Sequence, residues 1–333
     1  MDNSQFAVIG SGSWATALVK ALCNNLQHIN WYIREPEIRN SVLTHRTNCL
    51  YMSSIQLDTS KIRIFDNADE AVRRSDVLLF VVPAAFLKVT TDNMTVKFTD
   101  KMVFSAIKGI VPGENLTVGE YFNRRFDLPF NRFGVVSGPT HAEEVAFERF
   151  SCLTVACKER QWAEMMATQL NCRYIKTIIS NDIYGIEYAG IIKNIVALCV
   201  GITHGLGYGD NFTAVLVSNG FAEIKRFIQQ TYPAERVPEQ SAYLGDLLVT
   251  CYSQFSRNRT FGTMIGKGYS VTSAQLEMNM VAEGYYAVEC MYEIKKRHDI
   301  DMPIVNAVYN ILYKKKSPAA EIRALCEKFD VIT

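Results

Sequence analysis

One lysine in the middle of an apolar segment is the first candidate for chemistry in this sequence. The segment runs from Ile183 to Leu198, and the immediate neighbours of Lys193 are apolar except for Asn194. A buried amine without partners is strongly destabilised or loses its proton. The alternative is a lysine that extends its ammonium to solvent. Because Gly190 leaves room for a ligand one helical turn earlier, we favour Lys193 as a general acid and base.

A second polar cluster lies between residues 244 and 262. Asp246 stands in Leu-Gly-Asp-Leu, where it could orient Lys193 or cap a helix. Ser256, Arg257 and Asn258 precede a second arginine, and such a group can hold a phosphate through charge-assisted hydrogen bonds. A solvated basic loop explains this fragment equally well.

The N-terminal segment predicts an anion site. Phe6–Ile9 is an apolar strand, Gly10 and Gly12 allow a tight turn, and Ser13 is placed to cap the helix that follows. Free amide groups and the positive end of a helix dipole attract anions at such a position. The pattern is typical of the pyrophosphate site for NAD, NADP or FAD, with Ala15 in the third glycine position.

Two further loops follow predicted strands and therefore belong to the ligand-binding edge of the sheet. Lys108 offers a second cation after the first of these strands. Gly138 and Thr140 form a donor-rich turn that opens a helix after the second. We expect His141 to be a surface or capping residue and not a catalyst.

These residues are carried by alternating strands and helices, followed by helices alone. The predicted strands are Phe6–Ile9, His28–Ile33, Val77–Val82, Met102–Ala106, Phe133–Ser137, Ser151–Cys157 and Cys172–Thr177. The predicted helices include Glu114–Arg125, Ile183–Thr203, Thr213–Gln230, Ala282–His298 and Pro303–Tyr313. The fold class is thus α/β, with a Rossmann-like doubly wound sheet over residues 1–182 and an all-α domain over 183–333. We expect substrate and cofactor to meet in the cleft between these domains.

The composition excludes several classes of function. The chain of 333 residues carries 35 basic and 34 acidic residues, so no global charge attracts nucleic acid or a membrane. The nine cysteines and five histidines are dispersed without metal-ligand spacing, which favours reduced thiols and no metal site. We expect a cytoplasmic protein without stable membrane insertion, which forms a homodimer and binds a small molecule.

Taken together, the motifs resemble the NAD(P)-dependent glycerol-3-phosphate dehydrogenases of the bacterial type, over practically the whole chain. The matching segments are residues 10–17, 107–109, 137–144, 192–195, 244–247, 256–262 and 281–285. The resemblance implies interconversion of dihydroxyacetone phosphate and sn-glycerol 3-phosphate with NAD(P)H, which supplies phospholipid synthesis. Ala15, Thr213 and Asn219 depart from the family pattern. The last two concern subunit or helix contacts more than the chemistry.

The resemblance also assigns roles to individual residues. Lys193 is the implied catalytic acid and base. The implied substrate-binding residues are Lys108, Gly138, Thr140, Lys193, Asp246, Ser256, Arg257 and Asn258. The expected cofactor-binding residues are Gly10, Gly12, Ser13, Trp14, Arg34, Lys108, Ala142, Arg257, Val281 and Glu283.

Two other functions stay open at this point. A related two-domain dehydrogenase for a hydroxy or keto acid, such as ketopantoate reductase, has a similar fold and lysine but needs no phosphate site. A non-catalytic nucleotide sensor needs only the N-terminal half, so the presence of Lys193 with Asp246 and Ser256 argues against it.

The cofactor preference depends on the end of the second strand. Arg34 could pair with the 2′-phosphate of NADP, or it could simply be solvated before Pro36. Glu35 could instead accept a hydrogen bond from the ribose 2′-hydroxyl of NAD. We expect both cofactors to be used, with NADPH favoured.

Overall fold

Short apolar strands form an eight-stranded sheet in the computed structural model, which describes residues 4–278 and 281–329. The strands are β1 (Phe6–Ile9), β2 (Ile29–Tyr32), β3 (Ile62–Phe65), β4 (Val77–Phe80), β5 (Met102–Ser105), β6 (Phe133–Ser137), β7 (Ser151–Cys157) and β8 (Ile175–Ser180). Their order in the sheet is β3-β2-β1-β4-β5-β6-β7-β8. Every pairing is parallel except that of β6 with β7, which is antiparallel. The predicted doubly wound α/β fold is confirmed.

Two strands at the sheet edges differ from the prediction. β3 was not predicted because its sequence, Ile-Arg-Ile-Phe, is short, carries a charge and is only partly buried. β8 begins three residues after the predicted start at Cys172. The Cys172 amide instead donates a hydrogen bond to the carbonyl of Ile175, which closes a turn before the strand. Edge strands bury one face at most, so their hydrophobic signal is weak.

Fifteen helices accompany the sheet among the described residues. They are α1 (Ser13–Leu22), α2 (Pro36–His45), α3 (Ala68–Arg73), α4 (Ala84–Asp92), α5 (Val118–Phe126), α6 (Ala142–Ala146), α7 (Arg160–Leu170), α8 (Ile183–Gly205), α9 (Asp210–Thr231), α10 (Asp246–Tyr252), α11 (Arg257–Gly266), α12 (Val271–Glu277), α13 (Glu283–Arg297), α14 (Pro303–Leu312) and α15 (Pro318–Cys326). The predicted start of α5 at Glu114 was wrong by four residues, because Asn115 lies in a turn at a φ of 54°.

The described residues divide into two compact units. The sheet unit comprises residues 4–107 and 118–183, and the helical unit comprises 108–117 together with 184–278 and 281–329. The short segment 108–117 therefore packs with helices that follow it much later in the chain. Lys108 consequently belongs to the helical unit, although it comes shortly after a strand of the sheet unit.

Helix α8 is the apolar centre of the helical unit. It is long and apolar enough to cross a membrane, but its most apolar 18-residue window is entirely buried within the protein. Core helices of soluble proteins have this property. Burial on all sides also explains why the segment lacks an amphipathic pattern.

Four glycines allow α8 and α11 to approach backbone to backbone. Gly201 and Gly205 on α8 face Gly262 and Gly266 on α11, each pair being separated by four residues and hence on one helix face. A Cβ built on Gly262 would lie 2.9 Å from the Ile202 amide nitrogen and 3.0 Å from the Gly201 Cα. The contact tolerates no side chain without a shift of one helix.

We expect Gly262→Ala to lower the free energy of unfolding by about 1–3 kcal/mol, since overpacking exceeds the gain in helix propensity. Urea unfolding followed by circular dichroism measures the change. Gly209→Ala is the matched control, because a Cβ there would meet no atom within 4 Å. Equal stabilities of the two variants would contradict the close contact between α8 and α11.

Candidate functional site

In the sheet unit, the turn between β1 and α1 has the geometry of an anion cradle. Gly10 adopts a φ of 132°, and a Cβ there would collide with the carbonyl of Val81. A Cβ on Gly12 would meet nothing within 4 Å, so the space over the turn is open. Gly12 is the N-cap of α1 without a side-chain capping bond, and the first turn of α1 has no acidic residue. The turn therefore fits the pyrophosphate of a dinucleotide.

The helix start differs from the sequence prediction in one detail. Ser13 was expected to cap α1, but it is the first residue inside the helix and is buried. That prediction was wrong because glycine also serves as an N-cap residue. The amides at the helix start thus have no capping side chain of their own, which suits an anionic ligand. Trp14 follows on the same first turn.

Two side chains that the sequence analysis did not identify hold the glycine turn in place. The indole Nε1 of the fully buried Trp31 donates a hydrogen bond to the Gly10 carbonyl at 2.6 Å. Asn48 donates through Nδ2 to the Ser11 carbonyl and to the Thr16 hydroxyl, both at 2.8 Å. Only the spacing of the glycines is visible in sequence, whereas these supports come from distant segments.

A second turn lies at the carboxyl end of β6, on the same edge of the sheet unit. Gly138 has a φ of 128°, and a Cβ there would lie 2.6 Å from the Cys152 carbonyl oxygen. The hydroxyl of Thr140 donates to the Gly138 carbonyl at 3.3 Å. Ala142 begins α6, which packs against α1, and His141 occupies the N-cap position of α6. The structure thus places Gly138, Thr140 and Ala142 along one edge with the glycine turn.

The end of β2 carries an anion that is tied to the glycine turn. The Ser11 hydroxyl and the Glu35 carboxylate are hydrogen-bonded, and Arg34 donates to the other Glu35 oxygen through Nε at 2.9 Å and Nη2 at 2.7 Å. Burial raises the pKa of Glu35, but the hydrogen bonds from Ser11 and Arg34 outweigh it, and the pKa is lowered overall. Glu35 is therefore ionised at neutral pH.

In the helical unit, a buried amine lies against a buried carboxylate. Lys193 in α8 is 3% exposed, and Asp246 at the start of α10 is fully buried. The Lys193 ammonium donates to Asp246 Oδ1, and it also donates to the Thr250 hydroxyl at 2.9 Å. The Lys108 ammonium approaches the same Asp246 oxygen at 3.2 Å. We call Lys108, Lys193, Asp246 and Thr250 the amine cluster.

The helices fix the acceptors of the amine cluster. Asp246 and Thr250 lie one turn apart on α10 and so share a face. The Thr250 hydroxyl donates to the Asp246 carbonyl at 2.6 Å, which leaves its oxygen to accept from Lys193. Of the two functions left open for Asp246, the structure shows the contact with Lys193 and no side-chain capping bond. Within the part of the chain that is described, Asp246 Oδ2 is buried without a hydrogen-bond partner.

The electrostatics of the amine cluster bring Lys193 into the physiological pH range. Burial lowers the pKa of Lys193 to about 7, although the Asp246 carboxylate counteracts this effect. The positive charge of Lys108 lowers the pKa further. An amine with such a pKa can both donate and accept a proton near neutral pH.

Hydrogen bonds and close contacts link the amine cluster to the candidate phosphate-binding residues. They involve Asn194, Asn258 and Gly284. Asn194 donates through Nδ2 to the Lys108 carbonyl at 2.8 Å, and Asn258 accepts a hydrogen bond from the Gly284 amide at 2.8 Å. A Cβ on Gly284 would lie 2.7 Å from the Asn194 carbonyl oxygen and 3.0 Å from Asn258 Oδ1. The start of α11 therefore lies beside the residue that follows Lys193.

The remaining predicted residues lie around these helix starts. Ser256 is the buried N-cap of α11 and accepts from the Arg259 amide at 3.4 Å, so its hydroxyl has a structural task. Arg257 is exposed at the first position of α11. Glu283 begins α13, two residues after Val281, which is half-buried. Thr250 was not identified from sequence, although its spacing of four residues from Asp246 was the available signal.

No group of three or more His, Cys, Asp or Glu side chains suited to a metal ion occurs among residues 4–278 and 281–329. All nine cysteines are free thiols.

Comparisons with known proteins point to one family. The family model for the N-terminus of NAD-dependent glycerol-3-phosphate dehydrogenase matches residues 5–163, and the model for its C-terminus matches 182–323. A glycerol-3-phosphate dehydrogenase [NAD(P)+] of Exiguobacterium is 34% identical over 97% of this chain and 95% of its own length. One from Staphylococcus carnosus is 34% identical over 94% of each chain. The crystal structure of the Coxiella burnetii enzyme superposes with a TM-score of 0.89 at 25% identity, covering 98% of this chain and 99% of its own.

The lowered pKa of Lys193 has a consequence for stability. Between pH 7 and 10 the folded chain has released a proton that the unfolded lysine still binds, so the free energy of unfolding rises with pH. Lys193→Met abolishes this contribution. We expect the free energy of unfolding of wild type, relative to that of Lys193→Met, to rise by up to about 1.4 kcal/mol per pH unit in this window.

Urea unfolding at several pH values measures the two profiles. Lys225→Met, which removes an exposed lysine from α9, is the control and should follow the wild-type profile. Parallel profiles for wild type and Lys193→Met would show that the buried amine keeps its proton throughout this range.

Proposed function

Because the chain belongs to the NAD-dependent glycerol-3-phosphate dehydrogenase family, we propose that it interconverts dihydroxyacetone phosphate and sn-glycerol 3-phosphate with NAD(H) or NADP(H). The observation that carries this proposal is the buried Lys193 amine, hydrogen-bonded to Asp246 and Thr250. The family match over both halves favours this activity over a hydroxy-acid dehydrogenase. A nucleotide sensor, in turn, would have no use for a buried ion pair in the helical unit.

The two units divide the work in this proposal. The sheet unit binds the dinucleotide at the glycine turn, through Gly10, Gly12, Ser13, Trp14 and the residues that follow β2 and β6. The helical unit supplies the proton donor and the phosphate ligands. We keep the domain boundary predicted from sequence, between residues 182 and 183, as part of this proposal. The compact units divide one residue later, after Ile183, and the segment 108–117 belongs to the helical unit.

The bound nicotinamide supplies or accepts the hydride. In the reductive direction, the C2 carbonyl oxygen of the substrate gains negative charge, and the Lys193 ammonium gives it a proton. In the oxidative direction, the neutral amine takes the hydroxyl proton back. Asp246 holds the amine in place, and Lys108 adds a positive charge that stabilises developing negative charge. The buried, unpaired oxygen of Asp246 is an acceptor for a substrate hydroxyl.

Arg257 and Asn258 hold the substrate phosphate in this proposal. The guanidinium of Arg257 is exposed at the start of α11, where the helix dipole also favours an anion. Binding of the phosphate fixes C2 of the substrate relative to the proton donor. This positioning lowers the entropic part of the activation barrier. Lys108, Gly138 and Thr140 complete the proposed set of substrate ligands.

The cellular assignments follow from the same proposal. We place the protein in the cytoplasm, where its product enters phospholipid synthesis, and we expect a homodimer.

Substrate preference is tested by the absorbance of reduced nicotinamide after addition of dihydroxyacetone phosphate, ketopantoate or a 3-oxo acid. Oxidation of the cofactor with either acid but not with the triose phosphate would refute the proposed reaction.

Lys193→Met keeps the length of the side chain but removes the proton donor, so kcat should fall about 10²–10⁴-fold. Binding of NADH, followed by fluorescence, should be unchanged. Lys225→Met serves again as the control with normal kcat. A Lys193→Met enzyme with near-normal kcat would exclude this amine as the acid and base.

Arg257→Ala should lower kcat/KM for dihydroxyacetone phosphate at least tenfold, since charge-assisted hydrogen bonds contribute about 1.5–3 kcal/mol each. Unphosphorylated dihydroxyacetone, a poor substrate, should be affected much less. Arg259→Ala is the matched control, because Arg259 donates to the Tyr252 carbonyl and should affect both substrates alike. Equal losses on both substrates in Arg257→Ala would show that Arg257 does not bind the phosphate.

A further inference from the structure

We propose that Glu35 makes this protein select NAD(H) over NADP(H), by binding the adenosine ribose and repelling a 2′-phosphate. This proposal rests on the proposed function only in requiring that the sheet unit binds a nicotinamide dinucleotide. It reverses the preference for NADPH that Arg34 alone suggests in the sequence.

The Glu35 carboxylate is held next to the glycine turn. β2 lies beside β1, and the Gly10 amide donates to the Tyr32 carbonyl at 3.3 Å, so the chain after β2 borders the glycine turn. The hydrogen bond with Ser11, the residue between the two glycines, fixes the carboxylate on that turn. A ribose attached to a pyrophosphate over the turn must pass this carboxylate, which can accept from its 2′-hydroxyl.

The Glu35 side chain is not used to cap the helix that it precedes. Glu35 stands at the N-cap position of α2, yet its side chain makes no capping bond to that helix. Its side chain is only 19% exposed. An ionised, partly buried carboxylate aimed at the turn is suited to a ligand hydroxyl and opposes a ligand phosphate.

The two neighbouring arginines, Arg34 and Arg39, are both engaged in hydrogen bonds. Arg34 donates hydrogen bonds through Nε and Nη2 to the Glu35 carboxylate. Arg39 donates through Nη1 to the carbonyls of Ile33 and Arg34, at 2.9 and 2.8 Å. The Arg34 side chain is 66% exposed, so its ion pair is weak and can open. Opening it for a 2′-phosphate would nevertheless leave the Glu35 charge, still bound to Ser11, beside the phosphate. The carboxylate therefore decides the preference.

The experiment measures the dissociation constants of NADH and NADPH by fluorescence titration, without any substrate. We expect wild type to bind NADH at least tenfold more tightly than NADPH. Glu35→Gln keeps the shape and a hydrogen-bond acceptor but loses the charge, so NADPH should bind at least tenfold more tightly than to wild type. NADH binding should change by threefold or less.

Glu37→Gln is the matched control, because it removes an exposed charge of the same kind from the first turn of α2. It should leave both dissociation constants unchanged within twofold. Equal or tighter binding of NADPH by wild type would overturn the proposal, as would an unchanged ratio in Glu35→Gln or failure of both nucleotides to bind. The wild-type ratio decides the question even if Glu35→Gln does not fold.

These outcomes are separable from those of the proposed reaction. A clear NADH preference without turnover of dihydroxyacetone phosphate would refute the reaction and leave the role of Glu35 intact. Turnover of dihydroxyacetone phosphate with preferred binding of NADPH would refute the role of Glu35 alone.

Discussion

The buried ion pair between Lys193 and Asp246 constrains the rest of the helical unit. Removing two charges from water is unfavourable by several kcal/mol per ion, and attraction between them compensates only with good geometry and further hydrogen bonds. Thr250 and Lys108 supply such contacts. Apolar residues in place of a buried pair are often neutral or stabilising, so stability alone does not account for this one. The proposed reaction accounts for the pair, because proton transfer near neutral pH needs an amine with a lowered pKa.

Sequence patterns predicted the elements whose signals are local. The apolar strands β1, β6 and β7 were predicted with their observed bounds, and the long helices α8 and α9 within three residues at each end. The edge strand β3 was missed because half-buried strands carry mixed patterns. The grouping of 108–117 with the helical unit depends on tertiary packing, for which no short-range pattern exists.

The same distinction applies to the functional residues. Lys193 was identifiable because a charge in an apolar helix is a local anomaly, and Asp246 because it was near a glycine in a polar cluster. Thr250 was not, since a threonine in an apolar helix is ordinary until its partner is known. The supports of the glycine turn, Trp31 and Asn48, come from other segments of the sheet unit. Residues that act by holding others in place leave little trace in a single sequence.

The segment 108–117 packs with the helical unit although it lies within the N-terminal half of the sequence. This limits how the protein can be divided into fragments or recombined with a relative. Ile110 and Val111 on this segment are buried, and Lys108 pairs with Asp246. A fragment that ends at residue 183 would carry these apolar side chains without the helices that cover them. Exchange of the N-terminal half with that of another dehydrogenase would also transfer one of the two lysines that meet at Asp246. Modular inheritance of the two halves is therefore restricted, because any crossover between residues 108 and 193 separates Lys108 from the other members of the amine cluster.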